Sequence, residues 1–269
     1  MRGGDSFRIE MEKMMKNEEL KALPSNLLEG MTSISALLNA SEQNDRRVEE
    51  IWIDREKRRS KASEIGFLTA KSHELGFPIE FVEKEQIDAM TVGNTHGGIL
   101  AFCTERTIPR LRADCIRENG FYVYLEGLED PYNFGYTIRS LYAAGVDGVV
   151  LSPRNWMSAA GVVARASAGT SELIPLFVAD AEDAIELFHG AQYRVLCAGI
   201  RDSVSLYDED FPLPILLVVG GEKRGISRNL LEKADRIVRI DYGRSFRGSL
   251  SAASAATVMA FEIFRQNRK

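Results

Sequence analysis

The chain has 269 residues, of which 45% are apolar and 27% are charged, a composition typical of a folded protein long enough for two domains. Its net charge of −5 argues against a protein that coats nucleic acid by bulk electrostatics, although binding needs only a local positive face. No segment approaches the roughly 20 apolar residues of a membrane span, and the charged N-terminus is unlike a signal peptide. We therefore expect a cytoplasmic protein that makes no membrane contact.

Cysteine and histidine spacing predicts neither a metal site nor a disulfide. The three cysteines, at positions 103, 115 and 197, lack the Cys-x-x-Cys spacing of zinc sites. The three histidines are isolated in the sequence, so no two of them are spaced like ligands of one ion.

The first 105 residues are predicted to form an arm followed by a small α/β domain. Residues 1–27 are polar and charged, and we assign them to the arm. The following domain, residues 28–105, starts with a short helical stretch that ends near Leu37. Apolar alternation and helical spacing then predict strands at 48–53, 78–82 and 99–103 and helices at 63–75 and 87–90.

A second β–α alternation fills the rest of the chain. Residues 106–118 are rich in arginine, lack periodicity and fit a linker to a domain at 119–269. Apolar runs in that domain predict strands at 121–125, 148–151, 173–178, 195–198, 215–219 and 236–240. This pattern predicts a mostly parallel sheet with helices on both faces.

Helices of the second domain are predicted from apolar spacing and small residues. One passes through Ile138, Leu141 and Tyr142, and another covers residues 155–168. The last begins near Ser249, and its predicted apolar face consists of Leu250, Ala253, Thr257, Phe261 and Phe264.

The strand at 215–219 runs into the glycine-rich loop Gly220 to Gly225, and Ser227 is placed to cap the helix that follows. A phosphate-binding P-loop would need Lys-Ser/Thr after the second glycine, where this chain has Ile226-Ser227. A plain strand-to-helix turn and a ligand-binding loop both remain open. Ligands bind at the carboxyl ends of parallel strands, so the loops after 121–125, 215–219 and 236–240 can share one pocket. No Gly-x-Gly-x-x-Gly follows any strand, which disfavours a dinucleotide site.

Three stretches follow one another in the predicted second domain: Asn133 to Arg139, Gly220 to Gly225, and Arg239-Ile240-Asp241 with Ser249 to Ala256. Together they resemble the signature motifs of the SpoU (TrmH-like) RNA 2′-O-methyltransferases of the SPOUT class. Arg165 to Gly169 also resembles that family. The N-terminal unit, with Glu29-Gly30 and His96 to Ile99, is similar to its ribosomal-protein-like RNA-binding domain.

The resemblance implies an S-adenosylmethionine (SAM)-dependent RNA 2′-O-methyltransferase, and the accessory domain favours ribosomal RNA as the substrate. It also implies a deep trefoil knot around the second and third motifs and a homodimer packed beside the knot. Backbone groups at Gly220, Ile240 and Leu250 would hold the cofactor.

By the same resemblance, the catalytic set comprises Asn133, Arg139, Glu222, Ser249 and Ser251. Asn133 and Arg139 would face the acceptor ribose. Glu222 would organise its loop, either by accepting N–H groups or by pairing with Arg139. The family assigns deprotonation of the 2′-hydroxyl to the arginine. A guanidinium stays protonated in proteins, so orienting the hydroxyl and binding the phosphate suit the arginine better than accepting a proton.

Two residues depart from the family pattern: Ser251 stands where asparagine is usual, and Asp241 stands where proline is usual. An alternative function is therefore a catalytically weak or inactive RNA-binding or ribosome-assembly factor with the same fold, which cofactor binding would separate from an enzyme. A base methyltransferase of the wider SPOUT class is disfavoured, because the motif from Asn133 to Arg139 belongs to ribose methylation.

Overall fold

The computed structural model of the protein describes residues 25–40, 44–91, 95–153 and 159–268, which form two compact units. Most of the predicted arm, residues 1–24, lies outside the described residues. The first unit holds residues 25–39, 46–91, 95–105 and 159–161. The second unit holds residues 40, 44–45, 106–153 and 162–268.

The first unit is a small α/β domain, as predicted. Its four strands are β1 (Leu27–Glu29), β2 (Val48–Asp54), β3 (Ile79–Val82) and β4 (Ile99–Cys103). Its helices are α1 (Gly30–Leu38), α2 (Ala62–Leu75) and α3 (Lys84–Met90). The strand order is β1-β4-β2-β3, with β3 parallel to β2 and β4 antiparallel to both of its neighbours. The strand β1 is new relative to the sequence-based prediction, and the helix after it begins directly at Gly30.

The second unit is built on a fully parallel seven-stranded sheet. Its strands are β5 (Phe121–Glu126), β6 (Gly148–Leu151), β7 (Leu176–Val178), β8 (Arg194–Ala198), β9 (Val204–Ser205), β10 (Ile215–Gly220) and β11 (Arg236–Arg239). The strand order is β7-β6-β5-β10-β8-β11-β9, and each neighbouring pair is parallel. The prediction of a parallel sheet is confirmed.

Helices cover both faces of this sheet. They are α4 (Pro131–Ala143), α5 (Ala160–Ala166), α6 (Thr170–Leu173), α7 (Ala181–Gly190), α8 (Arg228–Lys233) and α9 (Ala252–Asn267). Phe121, Val123 and Leu125 share one apolar cluster with buried residues of α4 and α9. Tyr122 and Tyr124 share the other cluster with α7 and α8. Because successive strand residues point to opposite faces, this division confirms the predicted layers.

Three predicted elements differ from the observed ones. The strand predicted at 173–178 is shorter, since Leu173 ends α6 and only Leu176–Val178 pairs with β6. The region 200–214, predicted as a loop, contains β9 at the sheet edge. The last helix begins at Ala252 instead of Ser249. Of the helix predicted at 155–168, residues 154–158 lie outside the described part of the chain.

The apolar faces of two helices were also partly mispredicted. Tyr142 of α4, and Phe261 and Phe264 of α9, are exposed. The buried side of α9 is made instead by Ala256, Met259, Ala260 and Ile263, which pack in the cluster that contains α4. Small residues allow these two helices to approach closely, so the bulky aromatic side chains fall on the opposite side.

Residues of the predicted linker make ordered contacts within the second unit. The Leu111 N–H donates to the Val178 carbonyl, and the Val178 N–H donates to the Pro109 carbonyl, both at 2.9 Å. Buried Arg106 donates to the Ser171 carbonyl and lies 3.9 Å from the Glu172 carboxylate, which also accepts from Asn44. The domain bounds and the trefoil knot stay predictions. No helix in the described ranges is long and apolar enough to cross a membrane.

Candidate active site at the carboxyl ends of the strands

A cavity of about 360 Å³ opens where three parallel strands of the second unit end. Its lining comes from the segments that follow β8, β10 and β11 and from the start of α9. The three predicted cofactor residues, Gly220, Ile240 and Leu250, all line it, and so do Glu222 and Ser249. Residues far apart in sequence therefore meet in one site, as the carboxyl-end rule predicts.

The glycine-rich loop folds back tightly on its surroundings. The Gly221 N–H donates to the Glu126 carbonyl at 2.6 Å, and the Gly225 N–H donates to the Gly221 carbonyl at 2.9 Å. A Cβ at Gly220 would lie 2.3 Å from the Gly225 carbonyl carbon, and one at Gly221 would lie 2.0 Å from the Gly127 oxygen. No side chain fits at either position, so the backbones of the loops after β10 and β5 touch each other there.

Asn133 and Glu222 join the first and second motifs. The Asn133 side-chain amide donates to the Glu222 carboxylate at 3.1 Å. Both residues line a second cavity, of about 340 Å³, together with Gly127 to Pro131 and Lys223. Glu222 lines both cavities and so marks their boundary.

The position of Asn133 is set by the start of α4. Asp130 caps this helix by accepting the Asn133 N–H at 2.7 Å, and Pro131 occupies the first helical position. Both are residues that favour a helix start. The sequence analysis missed Asp130, although the Asp-Pro pair after a strand is a readable signal for it.

Two predicted contacts of the first two motifs were wrong. Glu222 pairs with Asn133 and not with Arg139, which is exposed and has no hydrogen bond or ion pair among the described residues. Ser227 does stand at the start of α8, but its side chain forms no capping bond. Its N–H instead donates to the Glu126 carboxylate at 2.8 Å, which ties the glycine-rich loop to the end of β5.

The third motif is held by side-chain contacts at both of its ends. The Leu250 N–H donates to the Tyr242 hydroxyl at 3.1 Å, so this backbone donor is satisfied by the protein itself. At the other end, Asp241 accepts from Arg239 at 2.8 Å, and Arg239 donates to the Ser203 carbonyl at 2.6 Å. The Ser205 hydroxyl and the Arg239 guanidinium hold the pKa of the Asp241 carboxyl below its usual range. A charged network thus fixes the turn that proline fixes in the family pattern.

Exposed arginines near the motifs lack the carboxylate partners that several other arginines of the described chain have. Several exposed arginines elsewhere in the chain contact carboxylates: Arg55, Arg112, Arg117, Arg228, Arg236 and Arg265. By contrast, five exposed arginines near the motifs have no carboxylate partner within the described ranges: Arg139, Arg201, Arg224, Arg244 and Arg247. Sequence analysis had not singled out Arg201, which lines the cavity beside Ile200.

Comparison with known proteins decides the family. The pattern of the SpoU rRNA Methylase family matches residues 120–261, more than half of the chain. The chain belongs to the SpoU rRNA methylase family. A second pattern, described as RNA 2′-O ribose methyltransferase substrate binding, matches residues 27–109.

Relatives of similar length support the assignment. The 23S rRNA (guanosine-2′-O-)-methyltransferase RlmB of Photorhabdus laumondii is 30% identical over 255 residues, which cover 90% of this chain and 98% of that protein. The putative TrmH family tRNA/rRNA methyltransferase YacO of Bacillus subtilis is 26% identical, with 83% and 90% covered. The AdoMet-bound rRNA methyltransferase from Sinorhizobium meliloti shares the fold, with a TM-score of 0.77 at 22% identity and 100% and 98% coverage.

The cavity suits the cofactor that the family resemblance implies. Val219, Ile226 and Leu231 give it apolar walls, and the backbone of three loops supplies polar groups beside them. An adenosine needs this combination of an apolar slot and paired polar edges. The bare backbone at Gly220 allows close approach of a bound molecule. No group of His, Cys, Asp or Glu suited to hold a metal is found among the residues that the structure describes.

Ser251 provides a local test of the third motif. Its hydroxyl caps α9 by accepting the Ser254 N–H at 3.1 Å. We expect Ser251→Ala to lower the free energy of unfolding by about 1 kcal/mol, because a cap is lost. Ser251→Asn should preserve stability, since asparagine caps equally well, and should raise SAM affinity or turnover several-fold by adding a donor of roughly 1 kcal/mol. Denaturant unfolding and a calorimetric SAM titration measure the two effects. Lower turnover in the asparagine variant would contradict the second expectation.

Proposed function

We propose that this protein is a SAM-dependent 2′-O-methyltransferase that acts on ribosomal RNA. The observation that carries the proposal is the convergence of Gly220, Ile240 and Leu250 on one cavity whose edge, at Glu222, adjoins the cavity lined by Asn133. One cavity fits the methyl donor and the other the acceptor ribose. Relatives named as 23S rRNA methyltransferases support ribosomal RNA as the substrate.

When bound, SAM supplies a methyl group that is already activated by a sulfonium. The protein therefore has to align the acceptor and favour loss of the hydroxyl proton. Asn133, held by Glu222, offers the rest of its amide to the ribose. Arg139, which has no internal partner among the described residues, grips the adjacent phosphate and orients the hydroxyl. Ser249 and Ser251 shape the end of the third loop, where α9 begins.

Two measurements test the proposal together. Calorimetry should show that SAM binds the purified protein in a single-site transition. Mapping of 2′-O-methyl groups in RNA from cells with and without the protein should show one or a few positions in ribosomal RNA that depend on it. A protein that binds ribosomal RNA but not SAM would instead be an RNA-binding or ribosome-assembly factor.

The N-terminal unit, residues 28–105, is proposed to bind the RNA substrate. Its pattern match supports this role. Basic residues cluster between positions 46 and 61 of this unit, and of these Arg46 is buried and therefore not available to RNA. Lys57 and Arg59 remain exposed, and no carboxylate accepts from either within the described part of the chain.

We expect Lys57→Ala with Arg59→Ala to weaken RNA binding and to reduce the salt dependence of affinity, since fewer phosphate contacts release fewer counterions. SAM affinity should stay unchanged. Substitutions are preferable to deletion of residues 28–105, because Asn44 belongs to the second unit and donates to buried Glu172. Filter binding at several salt concentrations measures the effect. The reverse pattern, with lost SAM binding and intact RNA affinity, would contradict the division of labour.

We also propose that the protein is a cytoplasmic homodimer. Exposed aromatic side chains on α4 and α9, two helices that pack together, support this assembly: Tyr136, Tyr142, Phe261 and Phe264. Exposed apolar side chains of this kind mark interaction surfaces. Sedimentation equilibrium measures the mass, and a monomer across the micromolar range would overturn the proposal.

A further inference from the structure

The third motif contains an exposed segment, residues 241–250, that the cofactor site does not fully use. All ten of its residues are exposed. Its two ends belong to the cavity, because Tyr242, Ser249 and Leu250 line it. The residues between these ends, Gly243 to Gly248, are not part of that lining and extend the segment beyond it.

Side chains of the segment pack against its own backbone and close the loop at its neck. The Tyr242 hydroxyl accepts the Leu250 N–H, which closes the loop at its neck. The Phe246 ring lies 5.8 Å from the Tyr242 ring, at 56° between the planes. A Cβ at Gly248 would lie 2.5 Å from Phe246 Cζ, so the ring rests against the Gly248 backbone. A preformed surface of this kind loses little conformational entropy when it binds a ligand.

Phe246 nevertheless keeps 58% of its surface in solvent. An aromatic ring that packs against its neighbours and is still exposed offers a flat face to a partner. Two arginines flank it in sequence, Arg244 and Arg247, and neither contacts a carboxylate in the described ranges. The combination of an aromatic face and two uncompensated cations fits a polyanion with planar groups, and it does not fit a purely apolar partner.

We infer that residues 243–248 bind an unpaired base of the RNA substrate next to the target nucleotide, with the base stacked on Phe246 and the adjoining phosphates held by Arg244 and Arg247. This inference rests on the proposed function, because it places the platform beside the methyl-donor cavity. Single-stranded RNA is recognised by stacking on aromatic side chains with cations along the backbone. A target hydroxyl in an accessible, unpaired region would then be favoured over one in a duplex.

Full-length variants separate stacking from simple apolar contact. Phe246→Leu keeps the apolar character and removes the π face, whereas Phe246→Trp retains a face. Tyr207→Leu is the matched control, since Tyr207 is an aromatic residue with 54% exposure on a different loop. Each protein is titrated with a short single-stranded RNA that carries 2-aminopurine, whose fluorescence falls when the base stacks.

We expect Phe246→Leu to lose the fluorescence quench and to bind single-stranded RNA about tenfold more weakly, while Phe246→Trp and Tyr207→Leu behave like the wild type. SAM affinity by calorimetry should be unchanged in all three. Arg244→Ala with Arg247→Ala should lower the salt slope of binding by about two units. Arg228→Ala, an arginine with 91% side-chain exposure that contacts Glu232, should leave the slope unchanged.

Wild-type quench and affinity in Phe246→Leu would overturn the inference. So would a Phe246→Leu protein that sediments as a monomer where the wild type is a dimer, because the platform would then be a subunit contact. Methyl transfer by the wild type in the same preparation keeps the two proposals apart. If the wild type methylates RNA and Phe246→Leu matches it in every assay, the base platform alone is wrong; if the wild type neither binds SAM nor methylates, the proposed function is wrong.

Discussion

Arg139→Ala should reduce methyl-transfer turnover by about 10²- to 10³-fold while SAM affinity stays at the wild-type value. The arginine lies six residues after Asn133 on α4, does not line the cofactor cavity, and has no hydrogen bond or ion pair within the described residues. Its guanidinium therefore has no structural partner to lose and is available to the RNA. Single-turnover kinetics and calorimetry on the same preparation measure the two quantities.

Arg139→Lys should restore only part of the activity, because an ammonium keeps the charge but cannot grip a phosphate in bidentate fashion. Arg265→Ala is the matched control, since Arg265 is an exposed helical arginine that contacts Glu262. We expect it to retain full turnover. Equal rates for Arg139→Ala and the wild type would remove Arg139 from the catalytic set, and with it the main argument for catalysis at the first motif.

Buried strands are the part of this fold that the sequence makes easiest to read. The observed bounds of β4 and β6 match the predicted runs 99–103 and 148–151, because both are uniformly apolar segments and all of their residues are buried. Edge strands carry a weaker pattern. The two residues of β9 pair on one side only, with β11, and this short edge strand has no apolar run that would predict it from the sequence.

Helix faces are harder to predict where small residues pack. Sequence patterns give weight to Phe261 and Phe264, yet Ala256 and Ala260 are the residues buried against the sheet. Close approach of helices favours alanine and glycine. At Gly135, for instance, a Cβ would lie 2.5 Å from the Ala166 Cβ.

In the candidate site, the residues could be predicted from the sequence but the partners of the charged side chains could not. The family resemblance predicted five site residues that the structure places around one cavity: Gly220, Glu222, Ile240, Ser249 and Leu250. The partners of charged side chains depend on sub-ångström geometry that no spacing encodes. The Asn133–Glu222 contact and the Asp241–Arg239 contact therefore had to be observed.

Gly221→Ala should be the most damaging single-atom change to the cofactor site. The new Cβ would lie 2.0 Å from the Gly127 oxygen and 2.5 Å from its carbonyl carbon, and both are backbone atoms that cannot rotate away. Gly127 directly follows β5, which ends at Glu126, so the opposing backbone can move away only by shifting the end of that strand. We expect the free energy of unfolding to fall by about 3 kcal/mol and SAM affinity to fall by about two orders of magnitude.

Gly190→Ala is the control for this change, because a Cβ there meets nothing within 4 Å. It should unfold at the same denaturant concentration as the wild type or slightly above it, since alanine restricts the unfolded chain. Denaturant titrations and calorimetry with SAM compare the two variants directly. If Gly221→Ala bound SAM with wild-type affinity, the two loops would have to separate without cost to the cavity. The backbone contact between the ends of β5 and β10 would then have no part in holding the methyl donor.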